Sequence, residues 1–277
     1  MPLQHDTIPM KEFHKSKTLL WDPRDIDLTQ DKADWATLTA DEQRLILHLS
    51  SIFLTGEAAV THDLAPLLIA LRRQGNRIED EMFVTAQLYE ESKHVEWFER
   101  WLAEVPDRPE LPTFSGGPAY DQLFNHDLPD SLNALLTDHS DAAVLRAACI
   151  YHMTIEGMLA ETGYYAFSEM LRRNQLMPGL VKGIDLVKRD EARHIAFGIY
   201  LLQDLVARDS ANFERIQATL MPMLGRVSAI VTEIFAQYNN QPPFGLQLND
   251  FLSYAAGQFQ ARIGAIQRAV HHEPPVN

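Results

Sequence analysis

The sequence predicts an all-α protein built on a four-helix bundle. Two observations support this prediction: apolar residues recur at the helical period throughout the chain, and one pattern of acidic residues and histidines occurs twice. In each copy a lone glutamate, Glu57 or Glu156, precedes a Glu-x-x-His motif. The intervals from the lone glutamate to the motif are 34 and 35 residues, so each half should form a helix, a turn and a second helix. Two such pairs make a bundle.

The first bundle helix has recognisable start and stop signals. Thr39–Glu42 has the sequence of a capping box, which opens a long helix carrying Glu57 and reaching Arg73. Pro66 should kink this helix locally, and the Gln74-Gly75 pair should end it. The next helix should start at Asn76–Glu79 after a short turn, so the two helices are predicted to be antiparallel neighbours.

The remaining elements follow from turn residues and periodicity. An extended arm is predicted from Trp21 to Trp35, and a connection rich in proline and glycine at 105–118 precedes short helical segments near Tyr120 and Leu132. The predicted long helices cover about 40–73, 76–104, 141–173, 178–207, 213–238 and 250–270. We expect one domain over residues 1–277, with a metal-binding bundle at about 40–207 and accessory helices at about 211–271.

Composition narrows the classes of function. The chain has 277 residues, of which 46% are hydrophobic, enough for a substantial core. A net charge of −14 argues against a nucleic-acid partner and against an anionic membrane surface. Cys149 is the only cysteine, which excludes a disulfide framework and fits a reducing compartment. Because Met1–Lys17 lacks a signal-peptide core and we expect no membrane-spanning apolar run, a cytoplasmic protein is predicted.

The repeated motif indicates a site for two metal ions. Residues three apart lie on one face of a helix, so Glu91 and His94 point the same way, as do Glu191 and His194. Four carboxylates in an apolar core would repel one another, and two divalent cations would balance their charge. Oxygen and nitrogen ligands without sulfur favour iron or manganese over structural zinc or an iron–sulfur cluster. Redox metals with open coordination positions imply dioxygen chemistry.

The alternative is that these are exposed helix residues. Glu91, for example, could pair with the nearby Lys93 or Arg100 on a solvated face. Against this, Glu57 and Glu156 both lie within strongly apolar stretches. The repeat and these neighbours together favour the metal site.

These residues resemble the ferritin-like diiron-carboxylate superfamily, and within it the radical-carrying small subunit of ribonucleotide reductase and its relatives, from Trp21 to about Leu202. The resemblance assigns Glu57, Glu91 and His94 to one metal and Glu156, Glu191 and His194 to the other, with Glu91 as a bridge. It also matches Asp190 to an aspartate that orients a ligand histidine, and Trp21 to an electron-relay tryptophan. Simple packing is the alternative role for Trp21.

Two departures argue against a reductase subunit. Phe98 stands where that subunit usually has its radical tyrosine, and the C-terminal tail, 271–277, lacks the tyrosine of a docking tail. The chain looks more like a sister group, the ligand-binding oxidases related to that subunit. Val60, three residues after Glu57, and Tyr151, five before Glu156, match a pair that those oxidases join by an ether bond. On an ideal helix Tyr151 would lie roughly 140° from Glu156, so a local bulge or the reach of the phenol must close the gap.

This resemblance implies manganese and iron, one of each per chain, with two irons as an alternative. It further implies that the protein reduces dioxygen and that Val60 and Tyr151 become crosslinked. A long-chain fatty acid or similar lipid is expected in an apolar channel, and the protein is expected to be a homodimer. Two other functions stay open. A radical-generating small subunit would need a docking tail, and an iron-storing shell would not need the arm or the C-terminal helices.

Overall fold

The computed structural model describes residues 2–75, 78–106 and 116–268, and in that part of the chain all regular secondary structure is helical. The α-helices are α1 (Ile8–Thr18), α2 (Thr29–Trp35), α3 (Ala40–Asp63), α4 (Ala65–Arg73), α5 (Ile78–Glu104), α6 (Pro118–Gln122), α7 (Leu128–Asn133), α8 (Asp141–Ala148), α9 (Glu161–Phe167), α10 (Pro178–Arg208), α11 (Ala211–Ala236) and α12 (Leu248–Gln267). Short 3₁₀ turns cover Pro23–Asp25, Ala134–Leu136 and Pro243–Gly245, and π-helices cover Leu123–Asp127, Cys149–Ala160 and Ser168–Arg172. The predicted all-α, ferritin-like class is confirmed.

Four long helical rods form the bundle. The α3 helix packs along α5, and α10 packs against the rod that runs from Asp141 to Arg172 through α8, the π-helix Cys149–Ala160 and α9. The α5 helix also contacts α10, which joins the two pairs. The accessory helices α11 and α12 pack on each other and on the π-helix Cys149–Ala160. They therefore cover the segment that carries Tyr151 and Glu156.

The first helix pair closely follows its sequence signals. Thr39 and Glu42 form a complete capping box at the start of α3. The helix breaks at Leu64, and Pro66 lies in the first turn of α4, where its missing N–H costs nothing. Gly75 follows α4 with a φ of +72°, a conformation that glycine adopts without strain. The predicted start of the next helix at Asn76 and Arg77 lies outside the described residues.

The N-terminal region differs from the prediction of an extended arm. Thr29–Trp35 is helical, because the Asp27 carboxylate accepts hydrogen bonds from the backbone N–H and hydroxyl of Thr29 and so starts a helix. Within that helix the buried Asp31 accepts bonds from two backbone N–H groups at the start of α10. A further helix, α1, was not predicted and packs on α5 and α10. The N-terminus thus forms part of the bundle wall.

A π-helix over Cys149–Ala160 supplies a local bulge, which was one of the two expected ways for Tyr151 to reach the site. Its i→i+5 pattern brings residues five apart onto nearly the same face, which an α-helix does not do. The Thr154 hydroxyl donates to the carbonyl of Cys149, five residues back, at 2.8 Å. Every residue from 149 to 158 is buried. Tyr151 and Glu156 can therefore both face the bundle interior.

Two stretches of helix are more apolar than expected. Ala40–Arg73 and Ala211–Ala236 are long and apolar enough, by length and composition alone, to cross a membrane, and 28% of each apolar window is buried. We expected no apolar run long enough to span a membrane. That expectation is wrong, because these two helices have the required length and apolar composition. Core helices pass the same test, and the first stretch carries Glu57 at the centre of the bundle. The two stretches are a weak indication of a membrane span.

Candidate metal centre

The six predicted ligands converge from the four rods of the bundle. Glu57 comes from α3, Glu91 and His94 from α5, Glu156 from the π-helix, and Glu191 and His194 from α10. All six side chains are buried, at 6% exposure or less. The alternative of a solvated helix face is therefore wrong for these residues.

The six side chains form two groups that share two members. The first group is Glu57, Glu91, His94 and Glu191, and the second is Glu91, Glu156, Glu191 and His194; in each, the ligand atoms lie within 4.8 Å of one another. His94 Nδ1 lies 3.5 Å from Glu57 Oε2 and 3.1 Å from Glu191 Oε1. His194 Nδ1 lies 3.0 Å from Glu91 Oε1 and 3.4 Å from Glu156 Oε1. Glu91, which was expected to bridge the two metals, belongs to both groups, and so does Glu191.

The donor atoms that face the cluster suit metal ions. Nδ1 of His94, Nδ1 of His194, Oε2 of Glu156 and Oε2 of Glu191 are buried and have no hydrogen-bond partner. Such unpaired groups are costly in a folded protein, and two divalent cations would satisfy them and balance the four carboxylates. Each histidine also turns its other nitrogen towards an acidic side chain, which is how proteins orient metal-ligating imidazoles. The residues thus fit a dinuclear centre.

Electrostatics leads to the same conclusion. Burial raises the pKa of Glu57 to about 8, and burial together with the charge of Glu191 raises the pKa of Glu156 well above its usual value. Burial alone would lower the pKa of His94, but the surrounding carboxylates of Asp190, Glu191, Glu57 and Glu91 raise it well above its ordinary value. His194 behaves in the same way, through the charges of Glu191 and Glu91. Without cations, bound protons must neutralise the cluster.

The outer hydrogen bonds cross between the two motifs. Asp190 Oδ2 lies 3.3 Å from His94 Nε2, and Glu90 Oε2 lies 2.9 Å from His194 Nε2. The Arg193 guanidinium donates to Asp190 Oδ1 at 2.6 Å and to Glu90 Oε1 at 2.5 Å. Sequence reasoning missed Glu90 and Arg193. The missed signal for Glu90 is that an acidic residue directly precedes the glutamate of both motifs.

Tyr151 reaches the cluster. Its hydroxyl donates to Glu91 Oε1 at 2.6 Å, and the Gln87 amide donates to the phenol oxygen at 3.0 Å and to Glu156 Oε1 at 3.2 Å. Burial, with the nearby charges of Glu156 and Glu91, raises the pKa of Tyr151 well above its ordinary value. The phenol is therefore neutral, with its proton directed to Glu91. Gln87 is a further residue that the sequence analysis did not single out.

An apolar cavity of about 110 Å³ ends at the cluster. Val60 lines it at that end together with all four glutamates. Away from the cluster its walls are almost entirely apolar, and it extends between α3, α11 and the segment after α11, where Tyr238 and Leu246 line it. This volume corresponds to on the order of ten water-sized spheres. An elongated apolar molecule could enter with one polar end at the carboxylates.

Two residues bear on radical chemistry. Phe98 is fully buried and stacks on Phe53 with ring centroids 5.2 Å apart. No phenol hydroxyl is therefore available at that position. Trp21 donates its indole N–H to Asp190 Oδ2 at 2.7 Å, so it is tied to the centre rather than only packed nearby. The C-terminal tail 271–277 lies outside the described residues.

Comparison with known proteins identifies the family. The model of the family "Ribonucleotide reductase, small chain" matches residues 2–267. An R2-like ligand-binding oxidase with aerobically reconstituted Mn/Fe cofactor superposes with a TM-score of 0.90 at 36% identity, covering 96% of this chain and 95% of that chain. A variant with aerobically reconstituted Fe/Fe cofactor gives the same identity, coverage and TM-score.

These similar structures carry manganese–iron or di-iron cofactors, and this chain has a buried carboxylate and histidine cluster suited to a dinuclear site. The chain is an oxidoreductase with a dinuclear metal site, and it belongs to the ribonucleotide reductase small chain family.

Proposed function

We propose that this protein is a dioxygen-activating oxidase that binds a long-chain fatty acid or similar lipid, oxidises a lipid-like substrate by two electrons and joins Val60 to Tyr151 through an ether bond. Glu57, Glu91 and His94 would hold manganese, and Glu156, Glu191 and His194 would hold iron, with Glu91 and Glu191 shared between the two. Two irons are an alternative loading. When bound, these metals supply the capacity to reduce dioxygen and to oxidise a C–H bond.

The observation that carries this proposal is the apolar cavity that ends at Val60 and the four glutamates. A fatty acid suits this shape, because its carboxylate is a hard ligand for the cations and its chain would bury apolar surface along the walls. The walls also exclude water from the reacting end. A C–H bond held there would meet the oxidant in a fixed orientation.

The residues around Tyr151 support the ether bond. Its formation breaks the Val60 Cβ–H and Tyr151 O–H bonds, makes one C–O bond and releases two protons and two electrons. The electrons would go to dioxygen; two more electrons from the reduced metals and two more protons from solvent would complete its conversion to two water molecules. Glu91 Oε1, 2.6 Å from the phenol oxygen, is placed to take the phenol proton. The Gln87 amide donates a second hydrogen bond to the same oxygen, at 3.0 Å.

Mass spectrometry tests the ether directly. Metal-free protein would be loaded anaerobically with manganese(II) and iron(II), exposed to air and digested. We expect a peptide pair that links Val60 to Tyr151 and lacks two hydrogens, and we expect none in Tyr151→Phe. If the wild-type protein binds both metals and consumes dioxygen without forming this pair, the crosslink proposal is wrong.

The lipid is tested by extraction. We expect organic solvent to release long-chain fatty acid from purified protein in an amount close to that of the chain. Binding should also weaken when the metals are removed, because the carboxylate then loses its cations. Recovery of no lipid, and no binding of added fatty acid by the metal-loaded protein, would contradict this part of the proposal.

We further propose that the protein works in the cytoplasm as a homodimer. Its single cysteine is free and buried, as suits a reducing compartment, and both long apolar helices keep part of their surface outside the core. A sizing column with light scattering should give twice the chain mass. A monomer would exclude the dimer, and a large cage would favour iron storage.

The second candidate is a radical-generating subunit. The hydrogen-bonded path from Trp21 through Asp190 to His94 favours it, since such a path can carry electrons. Phe98 disfavours it, because no phenol replaces the usual radical tyrosine there. Electron paramagnetic resonance after air exposure, with and without a reductase large subunit, separates the two. Nucleotide reduction with that subunit would favour the second candidate.

A further inference from the structure

Lys93 is a buried cation beside the metal centre that the proposed chemistry does not use. It is 4% exposed and precedes His94 on α5. Its ammonium nitrogen lies 2.6 Å from Asp190 Oδ2 and 4.5 Å from the centroid of the Trp21 ring. The positive charge of Lys93 therefore lies over the face of the Trp21 ring, which is hydrogen-bonded to Asp190 beside the metal centre.

Trp21 is an oxidisable side chain with a direct path to the centre. Its indole N–H bonds Asp190, whose same oxygen lies 3.3 Å from His94 Nε2. The Trp21 and His94 rings also stack, with centroids 6.4 Å apart and planes 20° from parallel. An oxidised metal centre would therefore draw an electron from this ring unless something prevented it.

We infer that Lys93 protects Trp21 from one-electron oxidation and so keeps oxidising equivalents at the cavity end of the site. Loss of an electron would leave a radical cation on Trp21 and reduce the metal centre by one electron. The ammonium attracts the electron-rich face of the neutral indole and repels that radical cation. In a buried site such repulsion is weakly screened.

Lys93 is held in this position by its ion pair with Asp190, which also accepts bonds from Arg193 and Trp21. The ammonium is therefore fixed beside the ring that it is inferred to protect. This inference depends on the oxidase chemistry and not on the Val60–Tyr151 ether.

The test removes the charge and follows Trp21. Lys93→Met removes the charge and keeps an unbranched side chain, Lys93→Gln keeps a donor for Asp190, and Lys93→Arg keeps the charge. Full-length proteins loaded with manganese(II) and iron(II) would be exposed to air, and digests would be searched for oxygen added to Trp21. We expect about a tenfold or greater rise in modified Trp21 in the Met and Gln variants, and little in the Arg variant. Rapid-freeze electron paramagnetic resonance should show a transient tryptophan radical in Lys93→Met and Lys93→Gln but not in Lys93→Arg or the wild type.

The controls separate charge from exposure. Lys188→Met removes a lysine paired with Glu161 on the same bundle and should leave Trp21 as in the wild type. Peroxide treatment of the metal-free proteins reports exposure and should modify Trp21 equally in all. The buried Trp97 serves as an internal reference. Combining Lys93→Met with Trp21→Phe should abolish the radical.

A second readout does not need the metals. A photosensitiser that acts as a one-electron oxidant should oxidise Trp21 faster in metal-free Lys93→Met and Lys93→Gln than in the wild type and Lys93→Arg. Unmodified Trp21 in both neutral variants, with equal photo-oxidation rates across the set, would overturn the inference. That outcome is independent of whether the ether forms in the wild type.

Discussion

Glu90 and Asp190 show how single residues tie the two halves of the centre together. Each precedes the glutamate of its own motif but binds the histidine of the other motif. Groups that orient a metal-binding histidine typically change metal affinity by 10–100-fold when they are removed. The two acidic residues should therefore act on different metals, and on the metal of the opposite motif.

We predict that Glu90→Gln weakens metal binding mainly at the site with His194, and Asp190→Asn mainly at the site with His94. The expected loss is about 10–100-fold at the affected site and clearly smaller at the other. Anomalous diffraction at the manganese and iron edges, on crystals soaked at graded metal concentrations, measures each site separately. An equal loss at both sites in each variant would show that the crossed contacts do not act individually.

Gln87 should determine whether an oxidised Val60 forms the ether with Tyr151 or gains an oxygen atom instead. Its amide holds the Tyr151 oxygen and Glu156, so Gln87→Met should leave the phenol free to turn away. We expect the ether yield to fall and Val60 to gain an oxygen atom instead. Peptide mass spectrometry measures both products. Gln203→Met, which removes a half-buried amide bonded to the carbonyl of Ala265, is the matched control and should form the ether normally.

At the scale of the element, the π-helix is the feature that brings Tyr151 and Glu156 to the same site. Thr154→Val removes the hydroxyl that binds the Cys149 carbonyl, and we expect the free energy of unfolding to fall by about 1 kcal/mol and the ether to form more slowly. Denaturant titration and the rate of crosslinking check both effects. Thr162→Val breaks a comparable bond to the carbonyl four residues back, so it should cost similar stability without slowing the ether.

Most elements were predictable because their signals are local. The capping box at Thr39, the proline at 178 and Gly75 each mark a helix end through their own backbone chemistry. The helix Thr29–Trp35 was not predicted, although Asp27 supplies a local start signal through its bonds to Thr29. Its second support, the bonds from the start of α10 to Asp31, joins residues about 150 apart in the chain and leaves no local pattern. The length of the π-helix was equally hidden, although a local bulge was one of the two expected ways for Tyr151 to reach the site.

At the scale of the whole molecule, the metals complete the core. Glu57 has a pKa of about 8 through burial, and the pKa values of Glu156, His94 and His194 are also raised. Below those values the metal-free groups carry protons, which the cations must displace on binding. We therefore predict that metal loading releases protons, raises the melting temperature, and weakens as the pH falls below 8. Calorimetry in buffers of different ionisation enthalpy measures the release; binding independent of pH would contradict it.

The ligand set was predictable from sequence for a whole-molecule reason: a repeated spacing on four packed helices leaves little freedom in where the side chains meet. All six residues do converge, although their roles as ligands stay a prediction. The sharing of Glu191 depends on which way its carboxylate turns, and the cavity depends on how α11 and the segment after it cover the bundle. Neither follows from spacing, since both arise from packing between distant parts of the chain.

The Arg193 bridge has a consequence for assembly. The Arg193 guanidinium donates to both Glu90 and Asp190, and these two acids contact His194 and His94. A single arginine therefore connects the histidine of one metal site with the histidine of the other. Ordering one site should therefore help to order the other, so that the second ion binds somewhat more tightly than the first while each site keeps an affinity of its own. This modest coupling would shorten the time during which a half-filled centre could meet dioxygen.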